Sequence, residues 1–174
     1  MVTSQDHFEL FGLPRRFAVE LPALEARYRD LQREVHPDRF STASASEQRQ
    51  SMEMATRVNE AYRTLKAPLA RARYLVELSG VDVAAETNTT MPPEFLMQQM
   101  AWREALEEAS DARDPVRLES LDARVRAARD AAFAEVAAAL DGGEGATAAA
   151  LVRKLMFLEK LREEIGAALE RMEA

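Results

Sequence analysis

Cysteine is absent from the 174 residues. That excludes disulfides, and with them thiolate ligands for zinc or an iron–sulfur cluster. Histidine is almost absent as well: His7 and His36 are the only two, too few for a histidine-rich metal site. The expectation is no bound metal and no cofactor, so that any metal cluster the chain handles must be held by a partner. Glycine is scarce, at six residues, and the Ala/Leu/Glu/Arg-rich remainder favours helix. No strand alternation of useful length occurs. No apolar run approaches the roughly 20 residues of a membrane span, and the N-terminus lacks a basic segment followed by an apolar stretch. A cytoplasmic protein without a membrane partner is therefore expected. A net charge of −7 also lacks the basic footprint of a general nucleic-acid binder. The charge is uneven: residues 1–80 carry 12 Lys/Arg against 11 Asp/Glu, and residues 81–174 carry 11 against 19. Two regions with different partners would account for that.

What is present is helical pattern and punctuation. After Asp6, a candidate N-cap, come Phe8, Leu10, Phe11 and Leu13, ended by Gly12 and Pro14. Pro22 suits the first position of a second helix running to about 35. Ser44 and Glu47 have capping-box spacing at the head of a third helix over 45–66, which Pro68 closes. A fourth follows over 69–79. Residues 1–80 read as one unit. Residues 81–93, with Asn88, Thr89, Thr90, Pro92 and Pro93, read as a linker. Three further helices are expected over 94–110, 115–140 and 146–172, with Asp114-Pro115 as N-cap and first position and Gly142-Gly143 as a break. Joined by short loops, they make an antiparallel three-helix bundle.

The most informative run is His36-Pro37-Asp38. Upstream, Leu24, Tyr28, Leu31 and Val35 repeat at steps of four, three and four, one apolar helical face. Arg29 and Arg33 form a basic stripe on another face. Pro37 has no N–H and biases His36 away from helical angles, so the helix stops there and a loop over 36–42 follows. Val58, Tyr62 and Leu65 supply the buried face of the returning helix. The result is a helical hairpin with an exposed tip. An Asp38 carboxylate beside arginines suits recognition, because it can accept a bidentate hydrogen bond from a partner arginine. The plainer reading is a helix terminator, since Pro and Asp are common turn residues. An enzymatic reading would pair His36 with Asp38 in acid–base work, but no phosphate loop, nucleophile elbow or second suitably placed histidine supports it.

A second constellation lies over 94–110. At 100° per residue, Phe95, Trp102, Leu106 and Ala109 fall together as a bundle-facing stripe. Leu96, Met97 and Met100 fall on a different face, which Glu104 and Glu108 continue. Such a surplus face is either a docking surface, for which methionine is well suited, or a helix buried on more than one side. On the last helix Leu151, Leu155, Leu158, Ile165 and Leu169 form the core face. Phe157 flanks them and Met156 lies nearly opposite.

The hairpin with its His-Pro-Asp tip resembles the J-domain, the module by which co-chaperones switch on DnaK-type ATPases. The resemblance narrows to the HscB family, J-domain co-chaperones of iron–sulfur cluster assembly. It is carried by the opening from His7 to Pro14, by Tyr28 through Phe40, by Asn59-Glu60-Ala61-Tyr62-Arg63-Thr64-Leu65, and by Pro68-Leu69-Ala70-Arg71-Ala72-Arg73-Tyr74-Leu75. Phe95-Leu96-Met97-Gln98-Gln99-Met100 and Arg153-Lys154-Leu155-Met156-Phe157-Leu158 extend it across essentially the whole chain. It implies an all-α protein, an N-terminal J-domain packed on a C-terminal antiparallel three-helix bundle, with no enzymatic activity of its own. It implies that an HscA-type chaperone is met by His36, Pro37 and Asp38 with Arg29 and Arg33. It implies that an IscU-type scaffold is bound by Leu96, Met97, Met100, Glu104, Glu108 and Phe157. Two departures stand out: Asp30 and Glu34 interrupt the basic run, and Ala101 occupies an often acidic position. Some eukaryotic relatives carry a cysteine-rich N-terminal metal module; its absence here is consistent with a bacterial form. The alternatives are a J-domain co-chaperone of a general DnaK with another client, a helical hydrolase using His36, and a helical scaffold without a chaperone role.

Overall fold

The computed structural model describes residues 5–83 and 91–173. Among them are seven α-helices and no strand: α1 (His7–Phe11), α2 (Leu21–Val35), α3 (Ala45–Lys66), α4 (Pro68–Leu78), α5 (Pro93–Asp111), α6 (Pro115–Asp141) and α7 (Gly145–Glu173). The chain divides into two compact units, Met1–Leu75 and Val76–Ala174. The division runs through α4, upstream of residue 80. The linker expected over 81–93 falls largely on 84–90, outside the described residues.

Local chemistry sets the helix ends of the first unit. The Asp6 carboxylate accepts from the Glu9 N–H at 2.9 Å while the Glu9 carboxylate accepts from the Asp6 N–H at 3.1 Å, a reciprocal capping box. Gly12 closes α1 at φ 64°, a left-handed angle that glycine adopts without steric cost. Ser44 and Glu47 cap α3 in the same reciprocal way. Helix α2 begins at Leu21, so Pro22 takes the second helical position rather than the first. Helices α2 and α3 form the hairpin around buried Leu24, Leu31, Val58, Ala61 and Leu65. Tyr28 and Tyr62 are not core residues. They are half-buried, their rings stacked at 3.9 Å, and Tyr28 donates its hydroxyl to Asn59 Oδ1 at 2.6 Å. Their polar tips keep them at the hairpin's edge, where a hydroxyl can find a partner.

The second unit contains an up-down-up bundle. Asp122 on α6 meets Arg162 on α7, and Arg129 on α6 meets Glu159 on α7, so those helices run antiparallel. Phe95 faces Phe157, and Arg103 pairs with Glu164, so α5 and α7 run parallel. Phe95, Trp102, Leu118, Leu121, Val125, Val136, Leu155, Leu158 and Ile165 are buried. Leu151, Leu106 and Leu169, expected in the core, are half-buried, while Val152 and Leu161 are fully buried. The α7 core stripe is thus rotated and broadened, because α7 packs on α5 as well as on α6. At Gly145, an added Cβ would lie 2.8 Å from Ser79 Oγ and 3.1 Å from Val81 Cγ2, so a side chain at the start of α7 would force these neighbours to shift.

The Asp122 carboxylate is the best-partnered charge in the bundle. Burial pushes its pKa up, but hydrogen bonds from Arg162 (2.9 Å) and Arg126 (2.6 Å), with the charges behind them, outweigh burial and hold it below its ordinary 3.8. The unfolded chain therefore takes up a proton first as pH falls. The contribution is complete at neutral pH and is lost as pH drops from about 3.8 toward the lower folded value. Asp122→Asn is expected to cost about 1–3 kcal/mol at pH 7 and to flatten the acid limb of stability below pH 4. Urea denaturation at pH 7 and pH 3 measures both.

Candidate functional site

The tip is built from a helix end that proline prevents from closing in the usual way. Helix α2 stops at Val35, and His36 takes φ −59°, ψ 130°, out of the helical region. The segment expected as a loop instead carries a short 3-10 turn over Pro37–Phe40. Pro37 suits the first position of that turn because its φ is already helical, and the His36 ring caps it: Nδ1 accepts from the Asp38 N–H at 3.2 Å. In the neutral imidazole the proton then resides on Nε2. The Arg39 N–H donates to the His36 carbonyl at 3.0 Å, and its guanidinium to the Arg33 carbonyl at 3.3 Å. The Asp38 carboxylate lies 3.6 Å from His36 Nδ1, with its side chain 92% exposed. It is therefore presented outward on a turn whose own backbone is hydrogen-bonded.

Arg29, Arg33 and Arg39 line a groove between α2 and α3, together with His36, Pro37 and Gln32, over Val35, Ala55, Val58 and Asn59. The stripe read from sequence is thus real in space, and it lines the same groove as His36 and Pro37. Arg33 also reaches Asp30 at 2.6 Å. Both side chains are well exposed, and such a pair contributes little in water, so it does not commit the guanidinium. Arg39 is the arginine next to Asp38 in sequence; Asn59 and Ala55 were not singled out as groove residues, and the signal for them was their spacing with Tyr62 and Val58 on one side of α3.

The second candidate face lies on α5. Met97 is 71% exposed, Met100 72% and Leu96 45%. Those values remove the reading of a helix buried on more than one side: the face is not covered by the bundle. Glu104, Glu107 and Glu108 continue it and are exposed. Phe157 is half-buried, edge-on to Phe95 at a centroid distance of 5.8 Å. It joins Met100 and Glu104 in a shallow concavity with Gln99, Arg103 and Glu107. Glu108 sits apart from these, lining a cleft between α5 and α6 with Arg117 and Arg124. Met156 is exposed.

Arg103 and Lys154 were missed by sequence reasoning. The Arg103 guanidinium lies 5.5 Å from the Phe157 ring and pairs with Glu164, and Lys154 Nζ lies 5.2 Å from the Phe95 ring. These cation–π contacts tie the two aromatic rings to the charged rim. The available signal was heptad spacing: Arg103 follows Leu96 by seven, and Glu164 follows Phe157 by seven. Among the described residues no group of three His, Asp or Glu side chains is arranged to hold a metal ion, and no helix is long and apolar enough to cross a membrane.

A helical hairpin with an outward His-Pro-Asp turn, in a chain that also carries a separate helical bundle, defines a J-domain protein. Comparison with known proteins narrows the class. A family model described as the HSCB C-terminal oligomerisation domain matches residues 91–166. A Burkholderia mallei (strain SAVP1) protein named co-chaperone protein HscB homolog is 52% identical over 174 residues, covering 99% of each chain. The solved structure of chaperone HscB from Vibrio cholerae matches with a TM-score of 0.84 at 37% identity, over 97% of this chain and 99% of that one. Human co-chaperone protein HscB matches with a TM-score of 0.87 at 32% identity, over 96% of this chain and 83% of that one. The chain belongs to the HscB co-chaperone family.

The exposures make a stability prediction. Met97→Ala and Met100→Ala are expected to change unfolding free energy by less than about 0.5 kcal/mol, and Trp102→Ala to cost about 3–5 kcal/mol. Phe157→Ala falls between them, because its ring packs on Phe95. Denaturant midpoints of the four variants at constant m-value check the ranking.

Proposed function

We propose that this protein is a cytoplasmic co-chaperone that brings an IscU-type iron–sulfur scaffold to an HscA-type DnaK-family ATPase and stimulates ATP hydrolysis there, doing no covalent chemistry of its own. The observation that carries the reading is the coexistence of two exposed surfaces of opposite character. One is the outward Asp38 carboxylate with its flanking arginines. The other is the uncovered Leu96-Met97-Met100 face with its acidic continuation.

Each surface suits one partner. Asp38 can accept a charge-assisted, bidentate bond from a chaperone arginine. Arg29 and Arg33 attract an acidic surface and raise the association rate. On the bundle, Leu96, Met97, Met100 and Phe157 supply apolar area, and Glu104 and Glu108 supply charge toward the scaffold. Ala101 adds no carboxylate there. The cluster is the scaffold's cargo, consistent with a chain that has no cysteine to ligate it. Holding both partners raises the effective concentration of scaffold at the chaperone, and binding that favours the hydrolysing conformation shifts the ATPase toward it.

The test is the steady-state ATPase rate of HscA with IscU, with and without this protein. Asp38→Asn is expected to lower the stimulation about ten- to a hundredfold, the loss of one charge-assisted interaction, and to leave IscU binding intact. Equal loss of both would overturn the division of labour. Combined Leu96→Ala and Met97→Ala is expected to weaken IscU binding about ten- to a hundredfold by calorimetry while stimulation without scaffold persists. Stimulation of a general DnaK but not of HscA would keep the tip's role and change the partner.

A further inference from the structure

Ser51 is a polar residue at a core position. It lies seven before Val58 and fourteen before Leu65, both fully buried on the same face of α3, and is itself 5% exposed. An apolar side chain there would bury more hydrocarbon, and a hydroxyl must find a partner to offset its desolvation. Its Oγ donates to the Val35 carbonyl at 2.8 Å, across sixteen residues of chain.

That carbonyl belongs to the last residue of α2, directly before His36. The final carbonyls of a helix need donors from beyond its end: Pro37 has no N–H to offer the Arg33 carbonyl four residues back, and the Arg39 N–H, four residues past Val35, goes to the His36 carbonyl instead. Three bonds close the exit instead: the Arg39 N–H to the His36 carbonyl, the Arg39 guanidinium to the Arg33 carbonyl, and Ser51 to the Val35 carbonyl. The first two come from the tip itself and move with it. Of the three donors, Ser51 alone is on α3. Its bond fixes the Val35–His36 peptide plane against the second helix of the hairpin, and so sets the direction in which the turn leaves.

We propose that Ser51 is a positioning residue for the His36-Pro37-Asp38 tip, its hydroxyl holding the orientation in which Asp38 meets the chaperone. The inference rests on the tip's being the chaperone contact, as proposed above. Without the hydroxyl the Val35 carbonyl loses its cross-helix donor, the peptide plane is free to rotate, and the Asp38 carboxylate samples directions that the partner does not accept. The three-helix bundle does not depend on this bond.

The experiment titrates HscA ATPase with wild-type protein, Ser51→Ala and Ser51→Thr. It also records the Asp38 backbone amide resonance of each free protein and the IscU affinity. For Ser51→Ala, the concentration giving half-maximal stimulation is expected to rise about tenfold. The Asp38 amide is expected to shift or broaden, and IscU affinity to stay unchanged. Ser51→Thr keeps the donor and is expected to restore both the stimulation and the amide position. Wild-type stimulation by Ser51→Ala, even with a lowered melting temperature, would overturn the inference and leave the hydroxyl a purely structural group. So would a loss that Ser51→Thr fails to restore. If wild-type protein does not stimulate HscA, the reading of the tip is what fails. The Asp38 amide then decides on Ser51 alone: a displacement in Ser51→Ala reversed in Ser51→Thr supports positioning, and an unmoved resonance overturns it.

Discussion

A proline just past the end of a helix withdraws one N–H and turns the chain out of the helix, so the terminal carbonyls lose donors they would otherwise use, and the N-terminal unit has two such places. At the end of α2 the carbonyls of Arg33 and Val35 are served by Arg39 and Ser51. At the end of α3, with Pro68 following, the Leu65 carbonyl accepts from the Arg71 guanidinium at 2.6 Å. Arg71 is buried beneath the Phe17 ring, 4.7 Å away, and burial lowers its pKa from the ordinary arginine value. In both places a backbone deficit is made good by a side chain from another segment. The repair therefore joins elements that local hydrogen bonding would leave independent. At the α2 exit two bonds come from Arg39 of the turn and the third from Ser51 on α3.

The two exposed surfaces differ in the physics available to them. The tip is polar and well solvated, and in the proposed function its strength would come from charge-assisted bonds formed only when a partner's cation displaces water from Asp38. Such a contact gives direction and selectivity with little buried area. The α5 face exposes methionine and leucine, whose contribution grows with area removed from water, and methionine's flexible stem lets it fit a partner's relief. For a partner docked there as proposed, the acidic continuation would favour a basic rim. Separating a directional contact from an area-driven one would let one chain hold the two proposed partners by mechanisms that do not compete.

Within the bundle, the same charges that mark the surface also stabilise the interior's edges. Arg103 pairs with Glu164 while lying over Phe157, and Lys154 lies over Phe95. These cations extend aliphatic stems along apolar surface and keep their heads in water. They mark the boundary between the buried seam of α5 and α7 and the open face beside it. Phe157 belongs to both, which is why it is half-buried where Met97 and Met100 are not.

Much of this was legible from residues alone. The caps at Asp6, Ser44 and Asp114, the stops at Gly12 and Pro37, and the separation of Phe95, Trp102 and Ala109 from Leu96, Met97 and Met100 all act within about four residues of chain. Sequence therefore determined the helices, their ends and the two faces of α5. Whether the second of those faces was covered as well was not legible, because burial depends on which other helix arrives. Periodicity reports that a stripe is apolar, not what lies against it. For the same reason Leu161 and Val152 were missed in the core, Tyr28 and Tyr62 were assigned to it, and the 3-10 turn over Pro37–Phe40 was read as a loop. Ser51 looked like one more polar residue in a charged helix. Only the tertiary structure, by bringing α3 against the unfinished end of α2, gave its hydroxyl a carbonyl to hold.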